Sequence, residues 1–416
     1  MASLQALPEE LIGKIVEFLD YEPPSTNRLH DVPALAKPVQ SPGTAGISRE
    51  RSFFRTDEPP LKALSLVCKW FRRSVFDKLF RHIHVDITHN LVDLHMLLCT
   101  RNFVPKVESV LIVAPRVDGM DPVESDCPIH GLAWKACIKA FEWFHMSTLT
   151  LALPPAAIGS LVAEDIDQRQ AWAFQIPFQI LRLEWQQDAL AYSDPESIQS
   201  MYVGDPIYPS RPSSEANILT LRPWTHLTFN AGSSVPAYSN YEHFLLVHPH
   251  WLGTTDTNLT SSSNLDSGFD GIIHRHMRNI VYFTFIGVFP YGAIIAELLQ
   301  LLLSLEALKV LRVRLLPTPA GHGKLEGHDF GRAETQDLWQ EFGDALDKFE
   351  EILTWEKFGL QGVQFLDYTN SGPIADIIDE HTDAMEDSGW RDRGLGIWTR
   401  ELEDVMKFKT SDEAST

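Results

Sequence analysis

The sequence predicts a chain of α+β or α/β class, with a three-helix unit at the N-terminus and a long, irregular α/β array behind it. Two observations point there. Apolar residues recur at spacings of three and four in residues 4–19 and 61–80, the period of a buried helix face. Beyond residue 88, short apolar runs of strand type alternate with longer runs of helix type, the pattern of strands joined by helices. The boundaries that follow are 1–88 for the helical unit and 89–416 for the array. With 44% hydrophobic and 22% charged residues in 416, the chain has the composition to bury a sizeable core.

In the first helix Leu4, Leu7, Leu11, Ile15 and Phe18 share one face, and Ile12, Val16 and Leu19 widen it. Pro8 suits the first helical position, and Glu9 and Glu10 complement the positive end of the helix dipole. In the second stretch Leu61, Leu64, Cys68, Phe71 and Val75 keep the same period, with Val67 and Trp70 alongside; Phe76, Leu79, Phe80 and Ile83 continue into a third helical stretch. Three short helices cannot bury this much apolar surface among themselves, so the excess predicts a partner. Residues 21–60 carry seven prolines and no apolar period, the composition of a disordered insert. Each doubling of such a loop adds only about 0.6 kcal/mol of closure entropy, so it can separate helices that still pack together.

The motif L-P-x-E-L-I-x-x-I-V-x-x-L (Leu7 to Leu19), followed by L-x-L-V-C-K-x-F-R (Leu64 to Arg72), resembles the F-box, the helical module that docks on the adaptor Skp1 in cullin–RING ubiquitin ligases. The resemblance covers residues 4 to about 85, and the insert at 21–60 departs from the family's short linker. It implies that Leu7, Pro8, Leu11, Ile12, Ile15, Val67, Cys68 and Phe71 line the adaptor contact. Lys69, Arg72, Arg73, Lys78 and Arg81 make this the most basic stretch of the chain. By residues alone that reads as a nucleic-acid patch; beside an F-box it fits an acidic adaptor surface.

In the array, strands are expected at residues 107–114, 149–153, 180–185, 218–230, 243–248, 278–287, 308–316 and 362–368. Helices are expected at 132–145, 291–305, 335–353 and at 388–408, the last either as a cap that closes the array or packed on its edge. The phrase "LLQLLLSLEALKVLRVRLL" resembles a leucine-rich repeat, although the other units are longer, irregular and without an asparagine ladder. The region therefore reads as a degenerate leucine-rich-repeat-like solenoid, with a compact α/β domain as the alternative. Residues 193–217 and 253–271 read as long surface loops. Arg182, Glu184, Trp185, Arg312 and Arg314 interrupt apolar strands, so they are expected to face outward and are the candidate target-binding residues.

The net charge of −21 argues against a general nucleic-acid binder. Two thirds of the excess lies in residues 321–416, where 23 acidic residues face 9 basic ones, a net of −14. No stretch reads as a membrane span, because Glu297, Glu306, Lys309, Arg312 and Arg314 interrupt the most apolar one. The N-terminus lacks a basic n-region, and four scattered cysteines form neither a disulfide framework nor a zinc motif; a cytoplasmic or nuclear protein is expected. The H-x-H pairs at His82/His84, His248/His250 and His274/His276 have no third ligand at a recognisable spacing, and Gly321–Gly327 lacks phosphate-loop spacing. No catalytic motif, metal site or cofactor is expected. The resemblance implies the target-recognition subunit of an SCF-type ubiquitin ligase, reaching a cullin through Skp1. Two other readings stay open: a Skp1-tethered protein without ligase work, and an enzyme or ligand binder whose helices form a dimerisation module.

Overall fold

In a computed structural model, residues 8–19, 29, 60–86, 107–113, 146–162, 166–176, 178–186, 217–240, 242–252, 277–317, 333–353, 359–367 and 385–400 are described. The helix expected at 132–145, the pair His274/His276, Gly321–Gly327, residues 253–271, and all of 193–217 except Asn217 lie outside the described residues.

The N-terminal unit consists of α1 (Glu9–Leu19), α2 (Pro60–Val67) and α3 (Lys69–Leu79). Ile12, Val16, Leu61, Phe71 and Val75 form its own small core. The expected second helix is two, because Cys68 adopts extended backbone and its Sγ accepts the Phe71 N–H, capping α3. Ile83 is not helical. It lies in β1 (His82–Asp86), the first strand of the sheet, so the helical unit ends before residue 82.

The array is a mixed α/β structure built on one ten-stranded sheet. After β1 come β2 (Ser109–Val113), β3 (Thr148–Leu153), β4 (Gln179–Glu184), β5 (His226–Ser233), β6 (Tyr282–Val288), β7 (Val310–Arg314) and β8 (Gly362–Phe365). These eight lie side by side in chain order. β9 (Arg391–Asp392) and β10 (Ile397–Thr399) close the far edge, β10 beside β8. Five of the nine pairings are parallel; β4 runs antiparallel to both neighbours, as β10 does to its own.

Register puts one apolar residue from each strand but β9 in a line: Ile83, Val110, Leu149, Leu183, Leu227, Phe283, Leu311, Val363 and Trp398. A second line runs from Val85 through Leu151 and Phe285 to Phe365. Both lie in the main core, or pack against it, with the single exception of Val85. Helices α4 (Pro155–Val162), α5 (Ala171–Phe174), α6 (Gly292–Ser304) and α7 (Thr335–Leu353) add their apolar residues to that core. α6 and α7 are tied at one end: Glu341 accepts the Gly292 N–H at 3.1 Å and Lys348 donates to the Gly292 carbonyl at 3.4 Å. No described helix is long and apolar enough to cross a membrane.

Three further expectations are corrected. Residues 243–248 form no strand; His243–Leu245 is a 3₁₀ turn, because β5 already has both neighbours and leaves the run no partner. Ile218–Thr220 is likewise a 3₁₀ turn, and the strand starts only at His226, after buried Trp224. Of the helix expected at 388–408, residues 401–408 lie outside the described residues; residues 391–399 form the β9–β10 hairpin and not a helix, since Gly394, Leu395 and Gly396 all take positive φ. Trp390 anchors it, donating to the Leu353 carbonyl under the Arg400 guanidinium.

Gly287 stands where a Cβ would lie 2.8 Å from the Phe285 ring, itself fully buried in the sheet's core. Gly287→Ala should therefore destabilise the chain by about 1–3 kcal/mol in denaturant unfolding, with the slope of the transition unchanged. An unaltered midpoint would mean that Phe285 can yield.

Candidate functional site

Two sets of residues stand out. On α1, residues one position apart divide the helix into two stripes. Ile12, Val16 and half-buried Leu19 face the unit's own core, whereas Leu11 (46% exposed), Ile15 and Phe18 (78%) face outward. At the end of α2, Leu66 and Val67 are also exposed. Of the residues that the F-box resemblance implies, Pro8, Leu11, Ile15 and Val67 are exposed; Leu7 lies outside the described residues. Ile12 and Phe71 are buried in the unit's core, and Cys68 is half-buried as the α3 cap, so these three shape the module internally. Phe18 and Leu66 join the outward set; Phe18 already stood on the apolar stripe of the sequence, and Leu66 in the second half of the motif.

The second set of residues lies on the sheet face opposite the core, where Ser109, Thr148, Thr150, Arg182 and Thr228 are nevertheless buried. Alternation along each strand turns the polar residues there, and register aligns them into rows. One row runs His82, Ser109, Thr148, Glu184, His226, Tyr282. The next runs Thr150, Arg182, Thr228, Thr284, Arg312, Gln364. Arg314 lies in the row beyond, opposite Ile286. Arg182 and Arg312 are three strand spacings apart, roughly 14 Å.

Arg182 Nε donates to Glu184 Oε1 at 2.5 Å, both on β4 and two residues apart. His226 stacks flat on Tyr282, centroids 4.2 Å apart, with its Nδ1 2.9 Å from Thr225 Oγ1. Burial lowers the His226 pKa to about 4; Arg312 and Arg182 push the same way, against Glu184. At the far end Arg314 Nε lies 4.0 Å from Asp367 Oδ1, and burial raises that carboxyl to about 7 although it accepts the Leu315 N–H. The face thus combines guanidinium donors with threonine hydroxyls and a neutral imidazole.

The candidate target residues Arg182, Glu184, Arg312 and Arg314 all fall on this face, but not in solvent as expected: Arg182 is buried and the other three are half-buried. Trp185 does not. It follows Glu184 directly, so strand geometry turns it the other way, where it packs against the main core with Arg222 5.8 Å over its ring. His226, Thr228 and Tyr282 were missed, although polar–apolar alternation through His226, Leu227, Thr228, Phe229 and Asn230 carries the signal. Among the described residues no group of three His, Cys, Asp or Glu is placed to hold a metal ion. His82 and His84 sit on this outer face; His248 and His250 are buried elsewhere, the latter 3.2 Å from Glu297.

The folded His226 pKa lies below the ordinary 6.5, so the unfolded chain takes the proton first as pH falls. Its contribution is complete above about pH 6.5 and is lost toward pH 4. His226→Phe keeps a ring against Tyr282 and should lose about 1–3 kcal/mol less stability than wild type between pH 7 and pH 4.5. Equal losses in denaturant titrations at the two pH values would show that His226 titrates as if exposed. Comparison of the chain with models of known protein families and with curated proteins finds no match.

Proposed function

We propose that this chain is the target-recognition subunit of an SCF-type ubiquitin ligase. In this reading the N-terminal F-box helices dock on Skp1 and through it reach a cullin, while the outer face of a leucine-rich-repeat-like array holds a target protein. The observation that carries it is the outward stripe Leu11, Ile15 and Phe18, with Leu66 and Val67, on a helical unit whose own core is already closed by Ile12, Val16, Phe71 and Val75. Large aliphatic and aromatic side chains left in water on so small a unit fit an adaptor groove. The resemblance of L-P-x-E-L-I with L-V-C-K-x-F-R to the F-box supports Skp1 as the adaptor, and Lys69, Arg72 and Arg73 on α3 suit an acidic one. Strands in chain order, with helices on one face and polar rows on the other, support the array reading. The work is positioning: holding a target near a ubiquitin-loaded partner raises the effective concentration of its lysines without new chemistry at this chain.

Co-purification with Skp1 tests the reading. The full chain should form a stable complex, and Leu11→Asp with Val67→Asp should weaken it by at least about 30-fold, since both side chains are exposed and removable without opening the core. Unchanged helical circular dichroism separates lost docking from lost folding. A wild-type chain that ignores Skp1, or variants that bind it equally, would refute the proposal. Skp1 binding without recruitment of a cullin would leave the docking and remove the ligase.

A further inference from the structure

Within the proline-rich insert between α1 and α2, Leu29 is described and is only 6% exposed. It packs with Leu111, Val113, Ala152, Phe178 and Ile180 in a cluster separate from both the main core and the helical unit's core. Val113, Ala152 and Ile180 are register neighbours on β2, β3 and β4, on the outer face. Next in the same row is Asn230, whose Nδ2 donates to the Leu29 carbonyl at 3.0 Å across 201 residues of sequence. Its Oδ1 accepts the Gly232 N–H at 3.0 Å, where β5 bulges against β6 and Gly232 takes φ of 93°. The bulge bond fixes the amide, and the amide holds the leucine carbonyl over the apolar floor.

We propose that this corner of the outer face is a leucine seat, occupied by the chain's own Leu29. An aliphatic floor on Val113, Ala152 and Ile180 takes the side chain, and Asn230 takes the backbone carbonyl. The insert is therefore pinned to the sheet, which attaches the helical unit to the array at a second point. The seat lies on the face that carries Arg182, so a target segment presenting a leucine and its carbonyl there has to displace Leu29. Only that last consequence rests on the reading of the face as target-binding; the pinning stands without it.

Trypsin reads the pinning directly, because it cuts after Arg28, the residue that precedes Leu29. Leu29→Ala, and separately Ile180→Ala on the floor of the seat, should speed cleavage of the Arg28–Leu29 bond in the native full chain by about fivefold or more. Cleavage after Arg49 should stay within about twofold, since it reports the general openness of the insert. A smaller rise at Arg28 in both variants overturns the proposal. Should cleavage rise at both bonds, a second measurement decides: a diazirine leucine analogue at position 29 of the otherwise native chain. Cross-links confined to residues 111–113, 152 and 178–180 support the seat; cross-links elsewhere sink it. Neither arm involves Skp1, so failure here is distinct from failure of the adaptor docking.

Discussion

The fold rests on the register that lines up Ile83, Val110, Leu149, Leu183, Leu227, Phe283, Leu311, Val363 and Trp398 across nine neighbouring strands. Side chains alternate along a strand with period two, so a slip of one residue anywhere in this line would send Arg182, Arg312 or Thr284 into the helix-covered core. Burying an unpaired guanidinium there costs far more than the slip could return in backbone pairing. The apolar line therefore fixes where the polar rows face. Everything read from the outer surface, from the His226 stack to the Leu29 seat, follows from it.

The helical unit is under the opposite constraint. Three helices of 11, 8 and 11 residues enclose only a handful of side chains, and a module this small gains little from its own core. It nevertheless keeps Phe18 and Val67 in water. The cost of that exposure is removed only when something covers the stripe, to which the exposed residues, and not the buried Ile12 and Phe71, contribute.

How much was legible in the sequence depended on how local the determining contact is. α7 spans residues 335–353, the same limits that its apolar period predicts, because a long amphipathic stripe carries its own signal. The side of the sheet that Arg182 and Arg312 take was legible by alternation; the burial of Arg182 there was not. Trp185 was misplaced because two adjacent strand residues cannot share a face. The antiparallel course of β4 could not be read, since Gln179–Glu184 alternates identically whichever way it runs. Nor could the turn of the β9–β10 hairpin, where three successive positive-φ residues, Gly394, Leu395 and Gly396, end any helix across 391–399. Leu29 was the least legible: one leucine among prolines has no period, and its partner lies 201 residues away.

That last contact also changes how the insert is understood. The insert joins α1 to α2 within the helical unit, while the unit meets the sheet directly, with only Phe80 and Arg81 between α3 and β1. A pin at Leu29 divides the linker into a short span after Leu19 and a longer one before Pro60. The shorter span, of nine intervening residues, reaches at most about 35 Å when fully extended, so it alone bounds the distance between the end of α1 and the seat. Because closure entropy rises only slowly with length, the long span adds little restraint. The contact of Leu29 with the apolar corner thus limits how far the end of α1 can lie from the sheet, a restraint separate from the direct α3–β1 connection.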